Sequence, residues 1–284
     1  MKSRSVLRNC PLVCSVMLAV AMIPAATMAH DMFLVVPDHD VPAGSETTLS
    51  LYNGTFDKSE NTIDRERMID VSVIDGAGDV THPGEDQWTE DGNITVLKFP
   101  TVVPGTYVVG LSTSAKVIEL SAEDFNDYLR HDGVLDVLEA REKDGTLGEP
   151  AAELYSKHVK TILQVGGEAS DNYSERLGYP IEIVPLANPA ELTAGDALEI
   201  LVLHDGESAG GQLVYASYAG YHDHDASGTH REAVTVRTDE AGKATIGLTR
   251  AGRWYIRLIR MLPSAEEGTD YVSNWATLTF EVGE

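Results

Sequence analysis

Hydrophobic and polar positions along the chain follow one pattern at both ends and another in the middle. From residue 31 to residue 120, short runs rich in Val, Ile, Thr and Tyr recur: "MFLVVP", "TTLSLYN", "MIDVSVID", "NITVLKF", "TYVVGLS" and "AKVIEL". Clusters of Gly, Asp, Asn and Pro such as "DGAGD" and "TEDGN" separate them. Runs of this length and composition between turn residues predict strands, and their spacing is that of an antiparallel sandwich. The pattern returns after Tyr179 with "IEIVPL", "ALEILVL", "GQLVYASY", "EAVTVRT", "KATIGL", "RWYIRLI" and "WATLTFEV". In the last run Ala276, Leu278, Phe280 and Val282 alternate with Thr277, Thr279 and Glu281, as in a half-buried strand.

The middle reads as helical. In "SAEDFNDYLRHDGVLDVLEAREKDG", Ser121 is a candidate N-cap with acids in the first turn, and Phe125, Tyr128, Leu129, Leu135 and Leu138 recur at steps of three and four. A second helix is predicted over "EPAAELYSKHVKTILQV", with Pro150 in its first turn and Gly166-Gly167 as its stop. The expected fold class is mainly β: two immunoglobulin-like or prealbumin-like antiparallel β-sandwich modules joined by a short helical segment. The expected division is a signal peptide at 1–29, a sandwich at 30–120, a helical insert at 121–178 and a second sandwich at 179–284. A weak internal repeat supports related modules: "GNITVLKFPTVVPGTYVVGL" and "GKATIGLTRAGRWYIRL" both carry a short strand, a Gly turn at Gly105 or Gly252, then a strand with Tyr107 or Tyr255.

The N-terminus changes this picture by adding a destination. Lys2, Arg4 and Arg8 precede the short apolar run "PLVCSVMLAVAMI", and Thr27 and Ala29 occupy positions −3 and −1 of a cleavage site that leaves His30 first. The run is too short to span a bilayer, no later segment is apolar enough, and the expected location is the periplasm. Both cysteines, Cys10 and Cys14, fall in the signal, so the mature chain has neither disulfides nor thiolate chemistry. The formal charge of −24 becomes −27 once those three basic residues leave, which argues against nucleic-acid partners and favours cationic ones.

There is no H-E-x-x-H, no P-loop and no EF-hand loop, and the chain is read as a non-enzyme. Histidine is the informative residue. In "YHDHDASGTH", His222 and His224 are two apart and share a side on an extended segment, while Gly228 lets His230 fold back. Imidazoles suit zinc, copper and nickel, so these three are candidate ligands, with Asp223 in a second tier. His30 is the fourth. At a mature N-terminus its α-amine and Nδ1 chelate a metal together, as in a copper histidine brace, and Asp31 beside it joins the second tier. His131 is expected to end its helix, where the macrodipole favours positive charge. His39, His82 and His204 read as turn residues, and His158 as a helical residue flanked by lysines.

Several segments, "AHDMFLVVP", "LGYPIEIVPLANPAEL", "DGESAGGQLVYASYAGYH", "GRWYIRLI" and "SNWATLTFEV", resemble a group of Gram-negative periplasmic proteins of the domain-of-unknown-function type. These are described as periplasmic components of cobalt/nickel transport. The resemblance implies an exported β-sandwich that handles nickel or cobalt, with His30 and the loop histidines as ligands. Arg260 stands where that group often carries His.

The expected function is therefore a periplasmic accessory protein that captures a divalent transition metal, nickel or cobalt first and copper next, for a membrane uptake system. The rival is an immunoglobulin-like module that binds a protein or glycan through exposed aromatics such as Trp88, Tyr218 and Tyr221.

Overall fold

A computed structural model describes residues 30–224 and 231–284. Its first half contains β1 (Asp31–Val35), β2 (Asp40–Val41), β3 (Ser45–Gly54), β4 (Met68–Ile74), β5 (Val80–Thr81), β6 (Trp88–Asp91), β7 (Ile94–Thr101), β8 (Gly105–Thr113) and β9 (Lys116–Leu120). Two helices follow, α1 (Ala122–His131) and α2 (Leu135–Asp144), then the long strand β10 (Ala151–Val165). The second half contains β11 (Ile181–Pro185), β12 (Ala197–His204), β13 (Glu207–Ser208), β14 (Leu213–Tyr218), β15 (Val234–Arg237), β16 (Lys243–Gly247), β17 (Gly252–Pro263) and β18 (Tyr271–Val282). The fold is mainly β with several antiparallel sheets, and each of the strand runs read from the sequence forms or contains a strand. No described helix is long and apolar enough to cross a membrane.

Among the described residues the strands form three sheets. A large central sheet runs β15-β14-β17-β18-β10-β8-β4-β5, with β2 and β9 also pairing on β10. A sheet of β1-β3-β7-β6 supplies the other side of the first hydrophobic core, where Met32, Leu34, Leu49, Leu51 and Leu97 meet Val71, Val109 and Val159 of the central sheet. A sheet of β11-β12-β13, with β16 on β12, supplies the other side of the second core, where Ile183, Ile200 and Ile246 meet Trp254, Ile256 and Leu278. The internal repeat has a structural meaning. In each module a Gly turn carries the chain from the small sheet into the central one, β7 to β8 at Gly105 and β16 to β17 at Gly252, and both glycines have positive φ (135° and 109°).

The segment 151–165 corrects the helical reading. It is a central strand, antiparallel to β8 and β9 on one side and parallel to β18 on the other. Ala, Leu, Glu and Lys favour a helix in isolation, but here the strand's polar residues are buried and partnered. Lys160 pairs with Glu182 at 3.2 Å, His158 lies between Ser112 at 2.9 Å and Ser156 at 3.0 Å, and Thr161 donates to the Thr279 carbonyl. Burial holds the His158 imidazole at about 4, with Asn274 pulling the other way. Gly166 and Gly167, at φ 70° and 67°, do end the element.

The first predicted helix is two. Ser121 caps α1 through the Asp124 N–H, but the chain breaks at Gly133, whose φ is +78°. A Cβ there would lie 2.4 Å from the Tyr215 hydroxyl, which donates to the Gly133 carbonyl at 2.9 Å. Phe125, Tyr128 and Leu129 pack on Trp275, Ile259 and Met261 in a third, smaller core. This break brings His131 and Asp132 over the central sheet. Trp88, read as an exposed contact residue, is 3 % exposed and belongs to the first core.

Candidate functional site

β1 is buried on both faces, which explains its unbroken apolar run. Met32 and Leu34 enter the first core, while Phe33 packs edge-on against Phe56 and Tyr255 at ring-centroid distances of 5.3 and 5.1 Å. Thr277 and Thr279 of β18 donate to the Met32 and Leu34 carbonyls at 2.7 and 2.5 Å. The start of β1 is thus clamped, and it carries His30 and Asp31 to a place where both modules and the helix break meet.

There the chain encloses a cavity of about 360 Å³. Its walls include His30 and Asp31 from the head of β1, Phe56 and Asp57 from the turn after β3, and His131 and Asp132 from the end of α1. Tyr218 ends β14, Tyr221, His222 and His224 follow it, and Glu232, Tyr255 and Arg257 complete the lining. Three of the four histidines proposed as ligands from the sequence, His30, His222 and His224, therefore face one cavity although about 190 positions separate the first from the others. His230 lies outside the described residues. Of the second-tier residues, Asp31 lines the cavity and Asp223 does not. Asp223 accepts the His224 N–H at 3.0 Å and, through its carbonyl, the Arg231 N–H at 2.9 Å. Among the described residues no three His, Cys, Asp or Glu side chains stand in metal-binding geometry.

The floor of the cavity is a buried charge network. Arg257 donates from Nε to Glu232 at 2.8 Å, lies 3.5 Å from Asp31, and gives an N–H to the Asp132 carbonyl at 3.0 Å. Tyr255 donates to the other Glu232 oxygen at 2.6 Å. Burial pushes the Asp31 carboxyl up to about 6, against the pull of Arg257 and with the help of Asp132 and Glu232. Burial alone would lower the Arg257 guanidinium, but Asp31 and Glu232 outweigh it and hold it above its ordinary value. Tyr255 is raised by burial and by Glu232.

On the rim, His131 Nδ1 sits 2.8 Å from Asp132 Oδ1, and that hydrogen bond raises the imidazole above its ordinary value. Asp132 is 7 % exposed, and its Oδ2 has no hydrogen-bond partner among the described residues. His30 is held from the other side, its Nε2 3.2 Å from Glu60.

The model of a family described as a domain of unknown function, DUF4198, matches residues 27–261. The chain belongs to this family. No curated protein matches it. Solved structures similar to it include Escherichia coli alpha-2-macroglobulin activated by porcine elastase, at 11 % identity and TM-score 0.23, covering 90 % of this chain and 20 % of that one. The Yersinia pseudotuberculosis adhesin InvE follows at 13 % identity and TM-score 0.23, covering 89 % and 61 %. The D0-D1 domain of intimin matches at 11 % and 0.22, covering 90 % and 99 %. At such scores these likenesses carry no argument, and the chain spans under two thirds of the first two.

Within this DUF4198 chain, the residues that sequence reasoning overlooked are His131, Asp132, Glu232 and Arg257. A signal existed for Arg257, a cation in the middle of the apolar run "WYIRLI", where a strand interior has no use for a charge without a buried partner. His131 and Asp132 gave none, because only the break at Gly133 turns them toward the cavity.

Proposed function

We propose that this protein binds a divalent transition metal in the histidine-lined cavity and serves, in the periplasm, as an accessory that passes nickel or cobalt, or failing those copper, to a membrane uptake system. The observation that carries this reading is the convergence of His30, His222 and His224 on one cavity from opposite ends of the chain. Two further features support it. Nitrogen and carboxylate donors without thiolate fit nickel, cobalt and copper, and the unpartnered Asp132 Oδ2 offers a buried negative oxygen beside His131.

His30 has the more specific role. With Nε2 held by Glu60 at 3.2 Å, its Nδ1 is the nitrogen left to chelate together with the α-amine that cleavage before His30 exposes. A carboxylate on the distal nitrogen orients such a ligand and raises its basicity. Nickel and cobalt are put first because of the sequence segments that resemble periplasmic proteins described as components of cobalt/nickel transport.

The test is calorimetric titration of authentically processed protein with nickel, cobalt and copper, alongside a form with one extra residue before His30 and the His222→Ala/His224→Ala double variant. Tight 1:1 binding weakened in both altered forms supports the site as drawn. Binding no tighter than that of a surface histidine cluster in all three removes the metal reading.

A further inference from the structure

His30 separates the histidine-lined cavity from a second one of about 530 Å³, and the second has the opposite character. Around it stand Arg67, Lys116 and Lys157, with Tyr155 between them. Lys157 is 3 % exposed. Its ammonium donates to the His30 carbonyl and lies 4.9 Å from the Trp275 ring centroid, and no ion pair joins it to any described carboxylate. Arg67 bonds the Ser114 carbonyl at 3.1 Å and the Tyr155 hydroxyl at 3.4 Å, and its buried Nε has no partner among the described residues. Lys116, exposed on β9, sits directly across from Tyr155 of β10 and completes the group. Two carboxylates also line this cavity: Asp64 caps the short turn at Glu66 (3.1 Å), and Glu119 is exposed.

A buried ammonium without a carboxylate is costly unless something else neutralises it. In a chain of formal charge −24, carboxylates were the easiest partner to supply. Around this void three cations outnumber the two carboxylates, no ion pair joins the two sets, and Arg67 keeps an unpartnered Nε–H among the described residues, which describes a place for an anion brought from outside. Carboxylate and phosphate are the anions whose oxygens match guanidinium and ammonium donors.

We infer that this cavity is an anion subsite that takes the free carboxylates of a small organic-acid chelator, so that the metal arrives at His30 as a chelate rather than as a bare hydrated ion. This rests on the metal-capture reading above. The shared His30 wall gives the reason: a chelate bridging the two cavities sets its metal against imidazoles and acids on one side and its carboxylates against Lys157 and Arg67 on the other.

The experiment is calorimetric titration of processed protein with four probes at fixed ionic strength: nickel chloride, sodium citrate, 1:1 nickel citrate and inorganic phosphate. It is repeated on the Arg67→Gln/Lys116→Gln variant, which spares buried Lys157, and on Lys157→Met after its melting curve shows it folded. The expected result is that nickel citrate binds wild type more tightly than citrate or phosphate alone, and that the double variant loses about tenfold or more for nickel citrate while keeping its affinity for nickel chloride.

Equal affinity of wild type and both variants for nickel citrate overturns the subsite and leaves metal capture standing. Phosphate binding as tightly as nickel citrate overturns the chelate and leaves a general anion site. Citrate binding with no response to nickel in either form overturns the chelate together with the metal reading.

Discussion

Arg257 joins strand β17 to the head of β1 and to the segment after the histidine loop, because Asp31 and Glu232 both depend on it. Removing it leaves two carboxylates buried together. Arg257→Met is expected to destabilise the protein by about 3–5 kcal/mol, to recover part of that loss at acidic pH as the carboxyls protonate, and to weaken metal binding. Thermal melting at pH 4.5 and 7 checks the first two. A second residue-scale prediction concerns pH. Asp31 is raised from 3.8 to about 6, so between those values the native state holds a proton that the unfolded chain has lost, and stability falls as pH rises. His158 is lowered from 6.5 to about 4, so there the unfolded chain holds the extra proton and stability rises with pH. Each contribution is worth roughly 3 kcal/mol, and in wild type they largely cancel. Asp31→Asn removes one of them, and its urea-unfolding free energy is expected to climb between pH 4.5 and 6.5 relative to wild type. Parallel pH curves for the two proteins would refute the assignment.

At the scale of elements, β10 shows why a helical reading failed. Leu154, Val159, Ile162 and Leu163 have helix-like spacing, but the intervening Lys157, His158, Lys160 and Thr161 are not a solvated face. They are the polar interior of a central strand, and such a strand is recognisable only once its partners Glu182, Ser112 and Thr279 are in place. The helix break is likewise tertiary in cause. Gly133 is required by its φ of +78° and by the approach of Tyr215. Gly133→Ala is expected to cost about 1–3 kcal/mol from the positive φ alone and more from the clash. Tyr215→Ala in the same background should return only the clash component, measurable by denaturant unfolding. Were Gly133→Ala neutral, the break would not be the device that presents His131 and Asp132.

For the whole molecule, the consequence of topology is that both modules share one sheet through the parallel β10–β18 pair, which runs from Glu153↔Tyr271 to Thr161↔Thr279. Separating the halves would expose the long edges of both strands, with their unpaired backbone groups. Calorimetric melting is therefore expected to show one cooperative transition rather than two, and residues 179–284 produced alone should aggregate or stay unfolded. Two resolved transitions would show that the shared sheet does not couple the modules.

What the sequence determined by itself was local. Period-two alternation and turn residues are properties of neighbours along the chain, and they identified most of the long strands other than β10, the turn glycines Gly105 and Gly252, and the mainly β class. His30, His222 and His224 were also singled out from the sequence, whereas His131 was read only as a helix end. Only the tertiary structure decided that His30, His222 and His224 face one cavity, that His131, Asp132 and Arg257 join them, and that Lys157 lines the second cavity on the other side of His30. Those residues acquire meaning from partners more than a hundred positions away, and no local pattern encodes a contact of that range.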